Sequence, residues 1–442
     1  MRTQTPVAIL FAALLCACQG TGNIPGAPNA TTAQLSRTGG LNGTPTHFTV
    51  HARYIYESIG NGTPLPFFVK GVDYSPTPIG KGVADPPLLN DPLRDGNEAI
   101  WSRDLGPMRT IGVNAIHVYN VVPPPYDKDT GPISKFLTAA WNNGTNPIYV
   151  IITIHFPGSA LKNRGAANDL AKQYYDMDKK YASYPAVLGV AISNEILAEN
   201  FFNDRQWWDN FNVVASRAKQ GFVDGGNGSK IVTTSEVDSF FAVGKYGEKY
   251  GAKVDAYGIN IYRGRTLTNL FDEIKDVTTK PVMLTEYGAT AAYHPAWGNT
   301  YEYPRDLHGI GHCLPTTRDG PNDRGVRELP DKGNPKMAGL IDYATNNATL
   351  LYDGYKNRGG VVSGGFYFEW TDEWWKADNG ANPEYRGKHV GTIDAFRGHF
   401  PGCNEDAAWF GLNSISKGAG DVDKITQRPT RKALRELWAT QN

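Results

Sequence analysis

The chain has 442 residues, of which 40% are hydrophobic, and this is enough apolar material for a sizeable core. Its 44 Lys and Arg residues balance its 44 Asp and Glu residues. Because the sequence has no net charge and no basic run, it argues against a nucleic-acid partner. The length exceeds that of a usual single domain, but barrels with long loops reach it as one unit.

The first residues are predicted to direct export. Arg2 precedes a short apolar run that ends in Leu15-Cys16-Ala17-Cys18. Such a run indicates a secretory signal rather than a membrane-spanning helix. A Leu three residues before a Cys resembles the cleavage box of bacterial lipoproteins. We therefore predict a lipoprotein signal peptide over residues 1–18 and a lipid on Cys18, with plain secretion as the alternative.

Residues 19–45 are rich in Gly, Thr, Ala, Pro and Asn, which predicts a flexible linker. The expected product is an exported monomer, anchored to a membrane in the periplasm or at the cell surface. In an oxidising compartment the two cysteines outside the leader, Cys313 and Cys403, are expected to form a disulfide. Two free buried thiols are the alternative.

Strands and helices alternate from residue 46 onward. A segment of period-2 character at 47–56, followed by Gly60-Asn61-Gly62 and a new strand, predicts a β-hairpin at the start. Short apolar segments predict eight further strands, at 67–74, 113–120, 147–156, 187–195, 229–237, 254–262, 280–288 and 361–370. Helices are predicted at 97–111, 134–140, 166–184, 204–221, 239–250, 267–276, 336–358 and 429–440.

This alternation predicts the α/β fold class, as one (β/α)8 TIM barrel over residues 46–442. Uninterrupted apolar strands between helices indicate a parallel sheet that is covered on both faces. An open doubly wound sheet would carry a glycine-rich phosphate turn after its first strand, and Asp73-Tyr74-Ser75-Pro76 is not one. Long loops are expected after strands one, two, seven and eight, with Cys313 and Cys403 in the last two.

Two acidic residues are placed where a barrel carries its chemistry, at the carboxyl ends of strands. Strand four is predicted to end in Asn194-Glu195, and strand seven in Thr285-Glu286. These strands face each other across the barrel mouth, so Glu195 and Glu286 can flank a glycosidic bond. Glycoside cleavage needs one protonated carboxyl beside the leaving oxygen and one anion at the anomeric carbon. A structural pair of salt-bridged carboxylates is the alternative.

With these motifs the chain resembles clan A of the glycoside hydrolases, over about residues 67–438. The resemblance implies that Glu195 is the acid/base and that Glu286 is the nucleophile of a retaining double displacement. It also implies that Asn194 hydrogen-bonds the sugar 2-hydroxyl. No cofactor and no metal are expected, because this chemistry needs only the two carboxyl groups.

Other positions resemble substrate-binding residues of that clan. Tyr262 ends strand six and resembles the Tyr that hydrogen-bonds the nucleophile, and Asn260 lies on the same face. Trp370 ends strand eight and resembles the aromatic floor of a sugar subsite, since an indole face suits a pyranose. His155 resembles a subsite histidine. His117 lies on strand two, where many members carry an Arg, which leaves open how the nucleophile is kept ionised. Core packing is the alternative for the aromatic residues, and a buried neutral state for the histidines.

Three stretches bear on the substrate: 68–74, 90–93 and 258–262. They are similar to fungal cell-wall β-1,3-glucanosyltransferases and to barrel domains of the β-galactosidase and β-glucuronidase type. The resemblance implies a β-linked carbohydrate substrate, with β-glucan favoured, and a retaining glycoside hydrolase. Transglycosylation by the same carboxylates is one alternative. A non-catalytic glycan-binding surface lipoprotein is another.

Overall fold

The computed structural model describes residues 44–83, 85, 91–94, 96–121, 132–199, 201–267, 269–293, 327–328, 335–376, 395–396, 404–405 and 407–441. Cys18, Cys313 and Cys403 lie outside these ranges, as do the predicted signal peptide and nearly all of the predicted linker. Within the described ranges, no helix has the length and apolar character needed to cross a membrane.

An antiparallel hairpin precedes the barrel. It consists of β1 (Thr46–His51) and β2 (Tyr54–Ile59), and the short β3 (Leu65–Pro66) pairs with β2. The sequence predicted one strand over 47–56, but the chain reverses direction inside that segment. Ala52 has a φ of +50°, in the left-handed region, and this conformation makes the tight turn.

Eight parallel strands form the barrel that the sequence predicted. Seven of them are β4 (Val69–Tyr74), β5 (Ala115–Val118), β6 (Tyr149–Thr153), β7 (Val187–Ala191), β8 (Ile231–Thr233), β9 (Tyr257–Asn260) and β10 (Val282–Tyr287). After the short pair β11 (Ala292–Tyr293) and β12 (Arg327–Glu328) comes the eighth, β13 (Gly364–Tyr367). Their order is β8-β7-β6-β5-β4-β13-β10-β9. Parallel bridges from Thr233 to Ala256 and from Glu236 to Ile259 join the two edges of the sheet.

Helices cover the outside of the barrel. They are α1 (Glu98–Thr110), α2 (Pro132–Trp141), α3 (Arg164–Tyr181), α4 (Arg205–Asp224), α5 (Phe240–Lys249), α6 (Leu270–Val277), α7 (Pro335–Lys356) and α8 (Pro429–Trp438). Between β13 and α8 lie β14 (Ala395–Phe396), β15 (Asn404–Glu405), β16 (Asn413–Ala419) and β17 (Val422–Gln427). Local capping starts two helices, since Asn163 accepts from the amide of Ala166 and Asp204 from that of Trp207.

The hairpin closes the amino-terminal end of the barrel. Phe48 of β1 packs edge-on against Tyr149, the first residue of β6, with ring centroids 5.0 Å apart. Just before β8, the buried Lys230 donates to Thr46 Oγ1 at 2.9 Å and to the Val187 carbonyl at 2.6 Å. The hairpin is therefore fastened to the amino ends of three barrel strands, and the carboxyl ends face away from it.

Candidate active site

The chain leaves β7 in a strained turn. The strand ends at Ala191, earlier than predicted, so Glu195 lies four residues beyond it rather than at its end. Ser193 and Glu195 have φ values of +60° and +54°. Such left-handed conformations cost about 1–2 kcal/mol for a residue with a side chain, and they are found mostly where a site requires them.

Neighbouring strand ends hold this turn in place. The Ser193 hydroxyl donates to the Phe156 carbonyl at 3.0 Å and lies 3.1 Å from the Phe156 amide, which donates to it. The Ser193 amide donates to the Tyr174 hydroxyl at 3.0 Å. The Glu195 amide donates to the Ser235 carbonyl, past the end of β8, at 2.7 Å. The Glu195 side chain is exposed above this support.

Glu286 lies on β10 and is 7% exposed. Tyr262, just past β9, donates to its Oε2 at 2.9 Å, which is the contact that the sequence predicted. Tyr119, just past β5, donates to its Oε1 at 2.8 Å. The sequence left open which group favours the ionised form of Glu286, because strand two lacks the Arg that many clan members carry. In the structure, a phenol from the carboxyl end of the same strand donates to Glu286.

Opposing effects set the ionisation of Glu286. Burial is the largest, and together with the negative charge of Glu195 it raises the pKa of Glu286 to about 8. The hydrogen bond from Tyr119, the Lys376 ammonium and the hydrogen bond from Tyr262 act in the other direction. These donors offset part of the effect of burial on the Glu286 carboxyl.

Asn260 connects the two carboxyl groups. Its Nδ2 donates to Glu195 Oε1 at 3.0 Å and to Asn194 Oδ1 at 3.2 Å. Its Oδ1 accepts from Thr285 Oγ1 at 2.8 Å, which fixes the orientation of the amide. In the β9–β10 register Asn260 is the direct partner of Glu286. One buried amide thus holds the acidic turn against the strand that carries the second carboxylate.

Asn194 is oriented by the same neighbours. Its Oδ1 accepts from Ser235 Oγ at 2.7 Å as well as from Asn260. Because these contacts occupy the carbonyl end of the side chain, the amide end remains as a donor. Asn194 itself is half-buried, beside the exposed Glu195.

The two predicted subsite histidines differ in position. His155 is exposed, two residues past β6, at the rim. His117 is fully buried, with Nδ1 3.1 Å from Asp73 Oδ1 and Nε2 2.8 Å from Thr153 Oγ1. Burial lowers the pKa of His117 to about 3, so its ring is neutral. A substrate-binding role for His117 is therefore corrected to a role behind the site.

Trp370 does not form the floor of a cleft. It is 0% exposed, and the Arg431 guanidinium from α8 lies 4.7 Å from its ring centroid. The chain has left β13 by this point, and the Trp370 amide donates to the Asp73 carbonyl at 3.0 Å. Beyond the strand the alternation of faces no longer applies, so the indole turns into the layer between the barrel and α8.

Three side chains in the site were not predicted: Tyr119, Asp73 and Lys376. Tyr119 lies one residue past β5, and Asp73 is the last residue but one of β4. Such positions mark candidates in any barrel, but their partners depend on lateral register. Lys376 lies past β13 and forms an ion pair with the buried Glu373. Among the described residues, no group of three or more His, Cys, Asp or Glu is placed to hold a metal ion.

Replacing Glu286 by Gln should remove a pH-dependent loss of stability. The pKa of Glu286 rises from 4.5 to about 8 on folding, so between these values the folded chain binds more protons than the unfolded chain. The free energy of unfolding of the parent should therefore fall as pH rises through this window. In urea denaturation, Glu286→Gln should be more stable than the parent at about pH 9 and lose that advantage at about pH 5.

Glu436→Gln, the same change at an exposed position on α8, is the matched control and should follow the parent at both pH values. If Glu286→Gln showed the same pH dependence as the parent, Glu286 would not be the desolvated carboxyl described above.

Solved structures with a similar fold include several glycosidases. The β-galacturonidase of Eisenbergiella tayi matches with a TM-score of 0.52 and 13% identity, over 90% of this chain and 54% of that chain. The β-glucuronidase of Ruminococcus gnavus has a TM-score of 0.53 and 13% identity, over 90% and 53%. That of Bifidobacterium dentium has a TM-score of 0.52 and 14% identity, over 89% and 49%. The chain thus spans about half the length of these proteins, and the likeness concerns the fold.

Sequence comparison adds one decisive match. No curated protein matches the chain significantly. The family model described as glucanosyltransferase, for glycoside hydrolase family 72, matches residues 46–297. That match takes in more than half of the chain, including Glu195 and Glu286. The chain belongs to the glucanosyltransferase family, glycoside hydrolase family 72.

Proposed function

We propose that this protein is a retaining enzyme that cleaves β-glucan and passes the released sugar to water or to a second glucan chain. The main observation behind the proposal is that two carboxyl groups lie at the same end of the barrel and are linked through Asn260. Glu195 is exposed in the turn after β7, and Glu286 is nearly buried on β10. Asn260 hydrogen-bonds the first and pairs in register with the second.

The exposed and the buried carboxyl suit different roles in a double displacement. In the first step Glu195 gives its proton to the leaving oxygen while Glu286 attacks the anomeric carbon. The glycosidic bond breaks and an ester to Glu286 forms. In the second step Glu195, now an anion, takes a proton from an acceptor hydroxyl, and that oxygen displaces Glu286.

A bound substrate is proposed to favour the anionic form of Glu286. Positive charge develops at the anomeric carbon in the transition state, next to Glu286. This charge favours the anion there, as do the hydrogen bonds from Tyr119 and Tyr262. The proton is then held by Glu195, where the leaving group needs it.

The remaining predicted residues fit sugar binding by position. Asn194 presents its amide end as a donor for the sugar 2-hydroxyl, a contact that strengthens in the transition state. Tyr262 is half-buried and packs edge-on against Phe410, with centroids 5.9 Å apart, so its hydroxyl is held at the cleft. His155, exposed at the rim, is proposed to line a neighbouring subsite.

Family membership supports glucan as the substrate and a sugar hydroxyl as the acceptor. The matching model is described by glucanosyl transfer, and it includes both carboxylates. The structural neighbours act on uronic acids by their names, but at 13% identity they inform the fold only. Hydrolysis and transfer share the glycosyl-enzyme and differ in which acceptor reaches it first.

We further propose that the protein is exported and anchored by a lipid on Cys18, on the sequence grounds given above. In a bacterial host, Cys18→Ser should abolish incorporation of labelled fatty acid and release the protein from the membrane fraction. Fatty-acid labelling that persists in this variant would contradict the anchor.

A Cys313–Cys403 disulfide is proposed for the exported form, and thiol labelling of the denatured, unreduced protein would test it.

Glu195→Ala should separate substrates by their leaving groups. Without a proton donor, cleavage of laminari-oligosaccharides should slow by about 100-fold or more, because a sugar alkoxide is a poor leaving group. Cleavage of a dinitrophenyl β-laminaritrioside should slow far less in its first step, since that phenolate leaves without a proton. Stopped-flow release of dinitrophenol measures that step. Equal losses on both substrates would count against Glu195 as the acid, and Glu436→Gln is the control.

The sizes of the products should reveal the acceptor. Incubated with one laminari-oligosaccharide of defined length, a transferase yields products longer than the substrate together with shorter ones. We expect such longer products, with the β configuration retained, by chromatography and proton NMR. Shorter products alone would indicate a hydrolase. Glycan binding without any product, in the parent and in Glu286→Gln alike, would indicate a binding protein.

A further inference from the structure

The Tyr119 hydroxyl lies between two carboxyl groups. It is 2.8 Å from Glu286 Oε1 and 2.9 Å from Asp73 Oδ1. A phenol has one proton and can give it to only one of them. Burial and the charges of both acids raise the pKa of Tyr119 well above its ordinary value, so the phenol keeps its proton. One of the two carboxyl groups must therefore bring a proton of its own to the Tyr119 oxygen.

The surroundings favour Asp73 as the group that holds this proton. Asp73 is 0% exposed, and no hydrogen-bond partner from the described part of the chain reaches its Oδ2. A buried carboxylate anion is stable only when donors satisfy its oxygens, and Glu286 has a donor on each. Burial, and next the charge of Glu286, raise the pKa of Asp73 well above its ordinary value.

A protonated Asp73 also completes a chain of hydrogen bonds behind the site. His117 is neutral, with one ring nitrogen on Asp73 and the other on Thr153, and the Thr285 backbone also hydrogen-bonds to the ring. With a proton on Asp73 Oδ1, each contact has one donor and one acceptor. The order is Thr153 Oγ1 to His117 Nε2, His117 Nδ1 to Asp73 Oδ1, Asp73 Oδ1 to Tyr119, and Tyr119 to Glu286 Oε1. Hydrogen bonds that run in one direction polarise and strengthen one another.

We propose that Asp73 is a positioning residue that stays protonated and directs the hydroxyl proton of Tyr119 onto Glu286, which favours the anionic form of the nucleophile. Asp73 touches no reacting atom and acts through Tyr119. The inference rests on the proposed role of Glu286 as the nucleophile.

Other charged and titratable groups face Asp73 from the surrounding elements. Besides Glu286, Tyr119 and His117, they are Tyr262, just past β9, and Tyr287, the last residue of β10. Glu369, Glu373 and Lys376, from the segment after β13, complete the set among the described residues. The charge of Glu373 favours the protonated form of Asp73, whereas the Lys376 ammonium opposes it. Since Lys376 is paired with Glu373, the two charges largely offset each other at Asp73.

The pH profile of Asp73→Asn tests this inference. With a dinitrophenyl β-laminaritrioside, which needs little help from an acid, the rising acid limb of kcat/KM reports the ionisation of Glu286. If Asp73 is neutral, Asn removes no charge, and the limb should stay within about 0.3 pH unit of the parent. If Asp73 is an anion, Asn removes a nearby like charge, and the limb should move to lower pH by about one unit or more, which would overturn the proposal.

The variant Tyr119→Phe shows whether the rising acid limb of kcat/KM reports the ionisation of Glu286. The substitution removes a donor from the carboxylate, so the limb should move to higher pH by about one unit. Tyr175→Phe is the matched control, because it deletes a phenol-to-carboxylate bond of 2.8 Å to Asp224 on the surface, and the limb should not move. In the Tyr119→Phe background, Asp73→Asn should leave the limb in place again.

A spectroscopic measurement keeps the inference testable without turnover. Carbon NMR of the parent with carboxyl-labelled aspartate gives the resonance of Asp73, identified by its loss in Asp73→Asn. We expect the chemical shift of a neutral carboxylic acid at neutral pH. The shift of a carboxylate would overturn the proposal even if the variant were inactive, and Asp73→Glu identifies the same resonance if Asp73→Asn fails to fold. A parent that cleaves no β-glucoside would count against the proposed function, while the NMR result would still decide the state of Asp73.

Discussion

The candidate active site depends on a pair of phenolic hydrogen bonds to one buried carboxyl group, Glu286. Glu286 has lost almost all of its contact with water, and this loss opposes its ionisation. Tyr119 and Tyr262 each supply a donor to one of its oxygens. A hydrogen bond to a charged group contributes about 1.5–3 kcal/mol, so two of them offset much of the cost of burial. In the proposed mechanism, Glu286 becomes an anion when the sugar is bound, and these two donors fix the direction in which it faces the sugar.

The two ends of the barrel differ: the amino end is covered by the hairpin, and the carboxyl end carries the candidate active site. At the amino end, Phe48 and Lys230 fasten the hairpin, and the core is sealed. At the carboxyl end, Ser193 and Glu195 adopt unfavourable left-handed backbone conformations, and the surrounding segments hold this turn by hydrogen bonds. The stability of the closed sheet thus supports a local conformation that the isolated segment would not adopt.

The alternation of strands and helices could be predicted from the sequence, because it depends on local pattern. The left-handed turn that carries Glu195 four residues past β7 could not, because neighbouring strands hold it. The hydrogen bond from Tyr262 to Glu286 was also within reach, as a resemblance to a known site. The network of Asp73 and Tyr119 was not, since it depends on the lateral register of β4, β5 and β10. Trp370 was misplaced for a related reason: it lies past the end of β13, where a strand pattern no longer fixes the direction of a side chain.

The most direct test of the central claim is to trap the sugar on the enzyme. A fluorinated β-glucosyl or β-laminaribiosyl fluoride slows the second step more than the first, so the covalent intermediate should accumulate. Intact-protein mass spectrometry should then show one added glycosyl group, and peptide mapping should locate it on Glu286. An adduct on another residue, or full turnover of β-glucan with inversion at the anomeric carbon, would contradict the account.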